Sequence, residues 1–333
     1  MKVSVIICAY NAETTIGRTI ESILGQSYKN IEIVIIDDGS KDGTFAVIEE
    51  YQKKNPAKIV VKSIPNGGLS NARNHALDMV TGEFFLNLDA DDYIESDTLE
   101  KAVAVVTDNE QIDMCFWGAK YFDESGKYFY SYSKNRLYPD EPITGVEAFQ
   151  QWVKGKYWFY QGSAIYKTAV VRENNLRNHP GLNQGEDFYF ISRFLFCAKL
   201  VFCFRGDNFC YMQRSDSMNN SIFNYSFFQV PRLLEILKED VKIHHEKLLG
   251  QIQPYISAEQ IIQWLAIIKR LVRCLTFKNY LQRVKEPVEQ LKTVDKDEAW
   301  AILSKQKKLE YVLCSKSVTL FYYISKLYDN IKR

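Results

Sequence analysis

Between Val3 and Asp92 the chain alternates short β-branched runs with stretches of helical period, and no other feature narrows the possible folds as far. Val3-Ser4-Val5-Ile6-Ile7-Cys8-Ala9, Ile31-Glu32-Ile33-Val34-Ile35-Ile36, Ile59-Val60-Val61 and Phe84-Phe85-Leu86-Asn87-Leu88 read as buried strands. Between them lie Ile16, Ile20, Ile23 and Leu24, then Phe45, Ile48 and Tyr51, then Arg73, Ala76, Leu77 and Val80, each set on one face of a helix. Pro65-Asn66-Gly67-Gly68 makes a turn before the third helix, and Ser70 is expected to cap it. Such alternation predicts an α/β fold with a parallel sheet, in which ligands bind at the carboxyl ends of the strands.

Tyr10, Asp37-Asp38 and Asp89-Ala90-Asp91-Asp92 all fall at such ends. Extended backbone puts Asp89 and Asp91 on one side, where like charges raise each other's pKa unless a cation compensates them. A hard divalent ion suits such oxygens and often shares one or two carboxylates with substrate phosphates. Taken alone, D-x-D-D is equally a solvated acidic turn. A dinucleotide-binding dehydrogenase needs a glycine-rich turn after its first strand, and Cys8-Ala9-Tyr10-Asn11-Ala12 has none. A P-loop is missing as well.

With 46% hydrophobic and 25% charged residues, the 333-residue chain has the balance of a globular protein with ample core. Its net charge of +1 hides an asymmetry: 23 basic against 29 acidic side chains in residues 1–224, and 19 against 12 in residues 225–333. The seven cysteines are scattered without C-x-x-C, as expected of free thiols in a reducing cytosol. Val3–Ala9 is too short for a signal-peptide core, and no apolar stretch reaches spanning length.

Taken together, Val3–Asn11, Ile33–Thr44, Gly68-Leu69-Ser70-Asn71-Ala72-Arg73-Asn74 and Phe85–Asp92 resemble, in order and spacing, the nucleotide-binding half of inverting family 2 glycosyltransferases. The resemblance implies a GT-A fold, with a mostly parallel central sheet flanked by helices. It also implies a catalytic domain over 1–224, split into a nucleotide-binding half (1–105) and an acceptor-binding half (106–224). It gives Asp38 the uracil N3–H, because a carboxylate only accepts. Tyr10 would stack on the base and Arg73 would reach base or phosphates, with Cys8, Ala9, Asn11, Gly68 and Ala90 bordering the nucleotide. Asp91 and Asp92 would hold Mn²⁺ or Mg²⁺ on the diphosphate, and Asp89 would orient the ion or contact ribose.

Beyond residue 105, Asp113–Phe122 reads as one strand returning through Asp123-Glu124-Ser125-Gly126-Lys127 to Tyr128–Tyr132. Trp152, Tyr157, Trp158, Phe159 and Tyr160 suit either a core or the apolar faces of sugars. In Gly185-Glu186-Asp187-Phe188 the family resemblance makes Asp187 the catalytic base, with Glu186 beside it; a helix N-terminus would favour the same acids. Arg214, Ser215 and Ser217 resemble a loop closing over the diphosphate, without the histidine metal ligand that some members carry.

From about Ser226 the pattern is helical, and the resemblance fades. The last run sets Leu309, Val312, Leu313, Leu320, Ile324, Leu327 and Ile331 at roughly helical spacing, widened by Tyr311, Phe321, Tyr322, Tyr323 and Tyr328. Residues 303–333 hold seven basic and two acidic side chains. Two readings fit: a helix packed on the protein, or one resting on an anionic membrane surface.

The function implied is inverting transfer from a UDP-sugar to a glycan or polyprenyl-linked oligosaccharide, in capsule or other surface polysaccharide assembly. Its setting is cytoplasmic, peripheral on the inner face of the cell membrane. A nucleotidyltransferase and a non-catalytic nucleotide-sugar-binding scaffold are the competing readings, and both leave Asp187 without a task. No nucleic-acid recognition motif accompanies the basic surplus.

Overall fold

The computed structural model describes residues 1–181, 184–213 and 225–331, which fall into two compact units, Met1–Ser217 and Met218–Arg333. The first opens with β1 (Val3–Ala9), α1 (Ile16–Leu24), β2 (Ile31–Asp37), α2 (Thr44–Lys54), β3 (Ile59–Ser63), α3 (Leu69–Met79) and β4 (Phe84–Asp89). It continues through β5 (Tyr93–Ile94), α4 (Thr98–Asp108), β6 (Ile112–Phe116), β7 (Ala119–Phe122), β8 (Tyr128–Ser131), β9 (Ile143–Thr144), α5 (Gly145–Val153) and β10 (Ala164–Lys167). It ends with α6 (Thr168–Glu173), α7 (Glu186–Cys197), β11 (Leu200–Cys203) and β12 (Phe209–Met212).

The main sheet has the order β3-β2-β1-β4-β10-β6-β11-β9. β1 to β4 are mutually parallel, and β10 runs antiparallel between β4 and β6. Val5, Ile7, Ile33, Ile35, Leu86 and Leu88 pack with Ile16, Ile20, Ile23 and Ile48 of the helices in one buried cluster. Each such side chain contributes about 1.5–3 kcal/mol by leaving water. The chain steps outward from β1 to β3, then α3 carries it back to β4 on the other side of β1. That reversal opens a crevice at the carboxyl ends of β1 and β4, where Cys8 pairs with Asp89.

Two local expectations are corrected. Gly68, not Ser70, is the cap of α3, and Ser70 is buried inside the helix. The stretch Asp113–Phe122 is two strands in different sheets, β6 in the main one and β7 in a four-stranded sheet ordered β5-β12-β7-β8. Between them the Trp117 N–H donates to the Ser163 carbonyl and the Gly118 N–H to the Gly206 carbonyl. A Cβ at Gly118 would collide with the Asp207 carboxylate and the Tyr138 hydroxyl, so the crossing there requires glycine.

The second unit is helical: α8 (Gln229–His244), α9 (Leu249–Cys274), α10 (Phe277–Arg283), α11 (Lys285–Thr293), α12 (Lys296–Trp300), α13 (Lys305–Lys316) and α14 (Val318–Ile331). Ile252, Ile256, Ile261, Leu265, Ile268 and Leu271 of α9 are its buried spine. Among the described residues no helix is long and apolar enough to cross a membrane.

Candidate active site

The loops at the crevice are tied together before any ligand enters. Asp38 follows β2 and is 3% exposed; its Oδ1 accepts the Gly67 N–H at 2.8 Å and its Oδ2 the Gly68 N–H at 2.9 Å. The Asn66 amide adds a third donor at 3.3 Å. Sequence reasoning sends this carboxylate to a uracil; in the structure it also anchors the turn that starts α3. Asn11, at φ 50°, accepts the Lys41 N–H, and its own N–H donates to the Ser40 hydroxyl. Tyr10 stands exposed beside this latch, at the end of β1.

Helix α3 turns Arg73 inward, where it is 2% exposed. Its guanidinium donates to Asp89 Oδ1 at 3.0 Å and to Asp187 Oδ1 at 2.7 Å, with Glu186 Oε1 at 3.7 Å. Arg73, expected on base or phosphate, therefore bridges β4 to α7. Gly185 makes this possible: its φ of 80° is a left-handed conformation that starts α7 abruptly and puts Glu186 and Asp187 in the first turn. Phe190, Phe194 and Leu195 anchor the helix in the core.

Burial pushes the Glu186 carboxyl up to about 7, with the Asp187 charge adding to it and Arg73 opposing. Burial also raises Asp187, against the pull of Arg73. Arg73 pays a desolvation penalty, yet its three carboxylates hold its proton more firmly than usual. The Cys8 thiol, at the same crevice, is pushed up to about 12 by burial.

The acidic cluster divides. Asp89 is half-exposed on Arg73, Ala90 is buried and Asp91 is partly exposed. Asp92, expected beside Asp91 on the ion, is 2% exposed, and its Oδ1 accepts the Met212 N–H at 2.9 Å. Burial, and then the Asp91 and Asp89 charges, push its pKa well up. The Thr19 hydroxyl donates to the Ala90 and Asp92 carbonyls and Arg18 to the Asp91 carbonyl, fixing the turn from α1. Among the described residues no three Asp, Glu, His or Cys side chains converge as a ready-made cation cage. A hard ion that keeps water ligands and bridges phosphates needs only one or two carboxylates, and Asp89 and Asp91 are the pair with access to solvent.

Arg214, Ser215 and Ser217 lie outside the described residues. The aromatic crowd splits: Trp152, Tyr157 and Phe159 are core, whereas Trp158 and Tyr160 line a cavity of about 150 Å³ with Tyr121, Tyr130, Tyr132 and Arg136. Sequence reasoning missed the Arg73 bridge and the Asp92–Met212 bond, because both join residues more than a hundred positions apart. The one local hint was the glycine before Glu186.

The family model for Glycosyl transferase family 2 matches residues 4–173. The putative glycosyltransferase EpsH of Bacillus subtilis is 32% identical over 205 residues, 60% of this chain; the chain spans 57% of that relative's length. The cholesterol galactosyltransferase of Borreliella burgdorferi is 28% identical over 321 residues, covering 87% of this chain and 83% of the relative. The crystal structure of S. aureus TarS in complex with UDP-GlcNAc superposes with a TM-score of 0.73 at 19% identity, over 99% of this chain and 92% of that one. The two share the GT-A fold.

Proposed function

Because the chain belongs to glycosyl transferase family 2, we propose that it moves a sugar from a UDP-sugar to a glycan or lipid-linked glycan, inverting the anomeric carbon, in surface polysaccharide assembly. One observation carries the reading: a single buried guanidinium holds Asp89 at the strand end and Asp187 at the helix end over one crevice. The UDP-GlcNAc in TarS supports a UDP-sugar donor, and the relative named for cholesterol supports a lipid-class acceptor. Seven free cysteines support a cytoplasmic setting.

In this reading Tyr10 borders the base, and Asp89 and Asp91 would hold Mn²⁺ or Mg²⁺ at the diphosphate. When bound, the ion neutralises charge on the departing UDP. Asp187 accepts the acceptor hydroxyl's proton as that oxygen bonds to the anomeric carbon and the carbon–diphosphate bond breaks on the opposite face. Arg73 keeps Asp187 oriented, and Glu186, its carboxyl raised to about 7, adds a second negative charge as pH climbs through that value and makes Asp187 a better base there.

A panel of UDP-sugars incubated with the protein and Mn²⁺ or Mg²⁺ tests this without an acceptor. Slow release of UDP from one donor is expected. Pyrophosphate release from UTP and a sugar 1-phosphate, with no UDP release from any donor, would identify a nucleotidyltransferase, and binding without turnover, with or without acceptors, a scaffold.

A further inference from the structure

Helix α14 is apolar on two faces, and one of them stays largely exposed. Phe321 and Tyr322 are buried, as are Tyr311 and Cys314 of α13. Leu320, Tyr323, Ile324, Leu327 and Tyr328, spaced i, i+3, i+4, i+7, i+8, remain exposed, Leu327 at 62% and Tyr323 at 57%. Leu309 of α13 is exposed too. With Ile324 and Tyr328 it also lines a cavity of about 400 Å³. The packed reading of the terminal run therefore holds on one side of the helix and leaves the other side to solvent.

The charged side chains that α13 and α14 leave exposed have one sign. The only acids of α13 and α14 are Glu310 and Asp329. Glu310 is buried against Lys269 of α9 and Lys307, and Asp329 is paired with Arg273 of α9 at 2.9 Å. The charged side chains these two helices leave most exposed are Lys305 and Lys316.

We propose that the outer face of α14 rests on an anionic membrane surface, with Leu320, Ile324 and Leu327 in the acyl boundary and the lysines at the headgroups. Tyr323 and Tyr328 have the apolar body and polar tip that suit this interface. A second copy of the chain covers the face less well, because an isologous contact sets the same basic rim against itself. The inference stands apart from the sugar chemistry of the first unit.

Vesicle co-sedimentation of the full chain tests it. Deleting α14 is no test, since Phe321 and Tyr322 are part of the helical core. The protein should pellet with vesicles of phosphatidylcholine and phosphatidylglycerol at 7:3, and much less with phosphatidylcholine alone. Leu327→Glu with Leu320→Glu, both at exposed positions, should cut partitioning at least about tenfold while UDP-sugar hydrolysis and the melting curve stay unchanged. Lys316→Glu should cut it about fivefold or more. Failure of the wild type to pellet with anionic vesicles overturns the proposal, as does unchanged pelleting of both variants. A stable dimer in light scattering that dissociates in the Leu327→Glu, Leu320→Glu variant also overturns it, assigning the face to a second copy.

Discussion

Two adjacent acid pairs look alike in the sequence and meet opposite fates in the fold. At Asp91-Asp92 the chain turns between two strands, so one carboxylate points to solvent and the other into the interior, onto the Met212 N–H. At Glu186-Asp187 a left-handed glycine starts a helix, and both carboxylates stay at the crevice on one buried guanidinium. In the function proposed, the first pair is divided between a metal ligand and a structural bond. The second serves as an acid–base unit on one guanidinium. What separates them is backbone geometry and a partner supplied from elsewhere, not the side chains themselves.

The comparison breaks most visibly at Asp187. Asp187→Asn keeps the shape and loses the proton acceptor, so transfer should fall by roughly 10²–10⁴ while UDP-sugar affinity barely changes. Steady-state kinetics beside calorimetry would show it; near-normal turnover would move the base to another group.

At the other pair the two positions should answer differently. Asp91→Asn should weaken metal-dependent donor binding roughly ten- to hundredfold or more, with the melting temperature unmoved. Asp92→Asn still offers an oxygen to Met212 and should leave that affinity nearly intact. Asp92→Ala strands the N–H and should cost about 1–3 kcal/mol in denaturant unfolding. Equal effects of the two Asn substitutions on metal-dependent binding would erase the distinction drawn here.

Arg73 ties the regions together. Arg73→Lys keeps the charge, but a point ammonium cannot reach two carboxylates in the fork geometry of a guanidinium. Losing one charge-assisted bond, roughly 1.5–3 kcal/mol, should lower transfer about ten- to hundredfold. Turnover equal to the parent would show that the bridge has no part in the reaction.

Much of this was legible in the sequence where structure is local. Strand-length runs such as Val3–Ala9 and Ile31–Ile36 announced buried strands, and their polar ends announced the crevice. What escaped depends on tertiary approach. The sequence reads Asp38 as a ligand group, and nothing in Asp37-Asp38-Gly39 shows that the Gly67 and Gly68 N–H groups also bond to it. The strand through Trp117-Gly118 looked continuous because hydrophobic pattern does not register which sheet a strand joins. The terminal helix showed apolar residues nearly all round, which its period alone could not divide into an inner and an outer face.

The finest test concerns Glu186, whose carboxyl is raised from an ordinary 4.5 to about 7 by burial and the neighbouring charge. A raised acid binds its proton more tightly in the folded state than in the unfolded one. The fold therefore gains from it below pH 4.5 and loses that gain as pH climbs through 7. Glu186→Gln is always neutral, so it should match the parent's stability at pH 4.5 and exceed it at pH 8, by about 1–3 kcal/mol. The rate should respond in the opposite sense. Without the second carboxylate, burial and Asp89 still raise Asp187 against the pull of Arg73, but one negative neighbour is gone, so the acid limb of the pH–rate profile should move down, with a weaker base above it. Chemical denaturation at the two pH values, beside pH–rate profiles of both proteins, measures each effect. A variant no more stable at pH 8, with an unshifted limb, would mean that the two carboxylates titrate independently and that the unit at the helix end is no more coupled than the pair at the strand end.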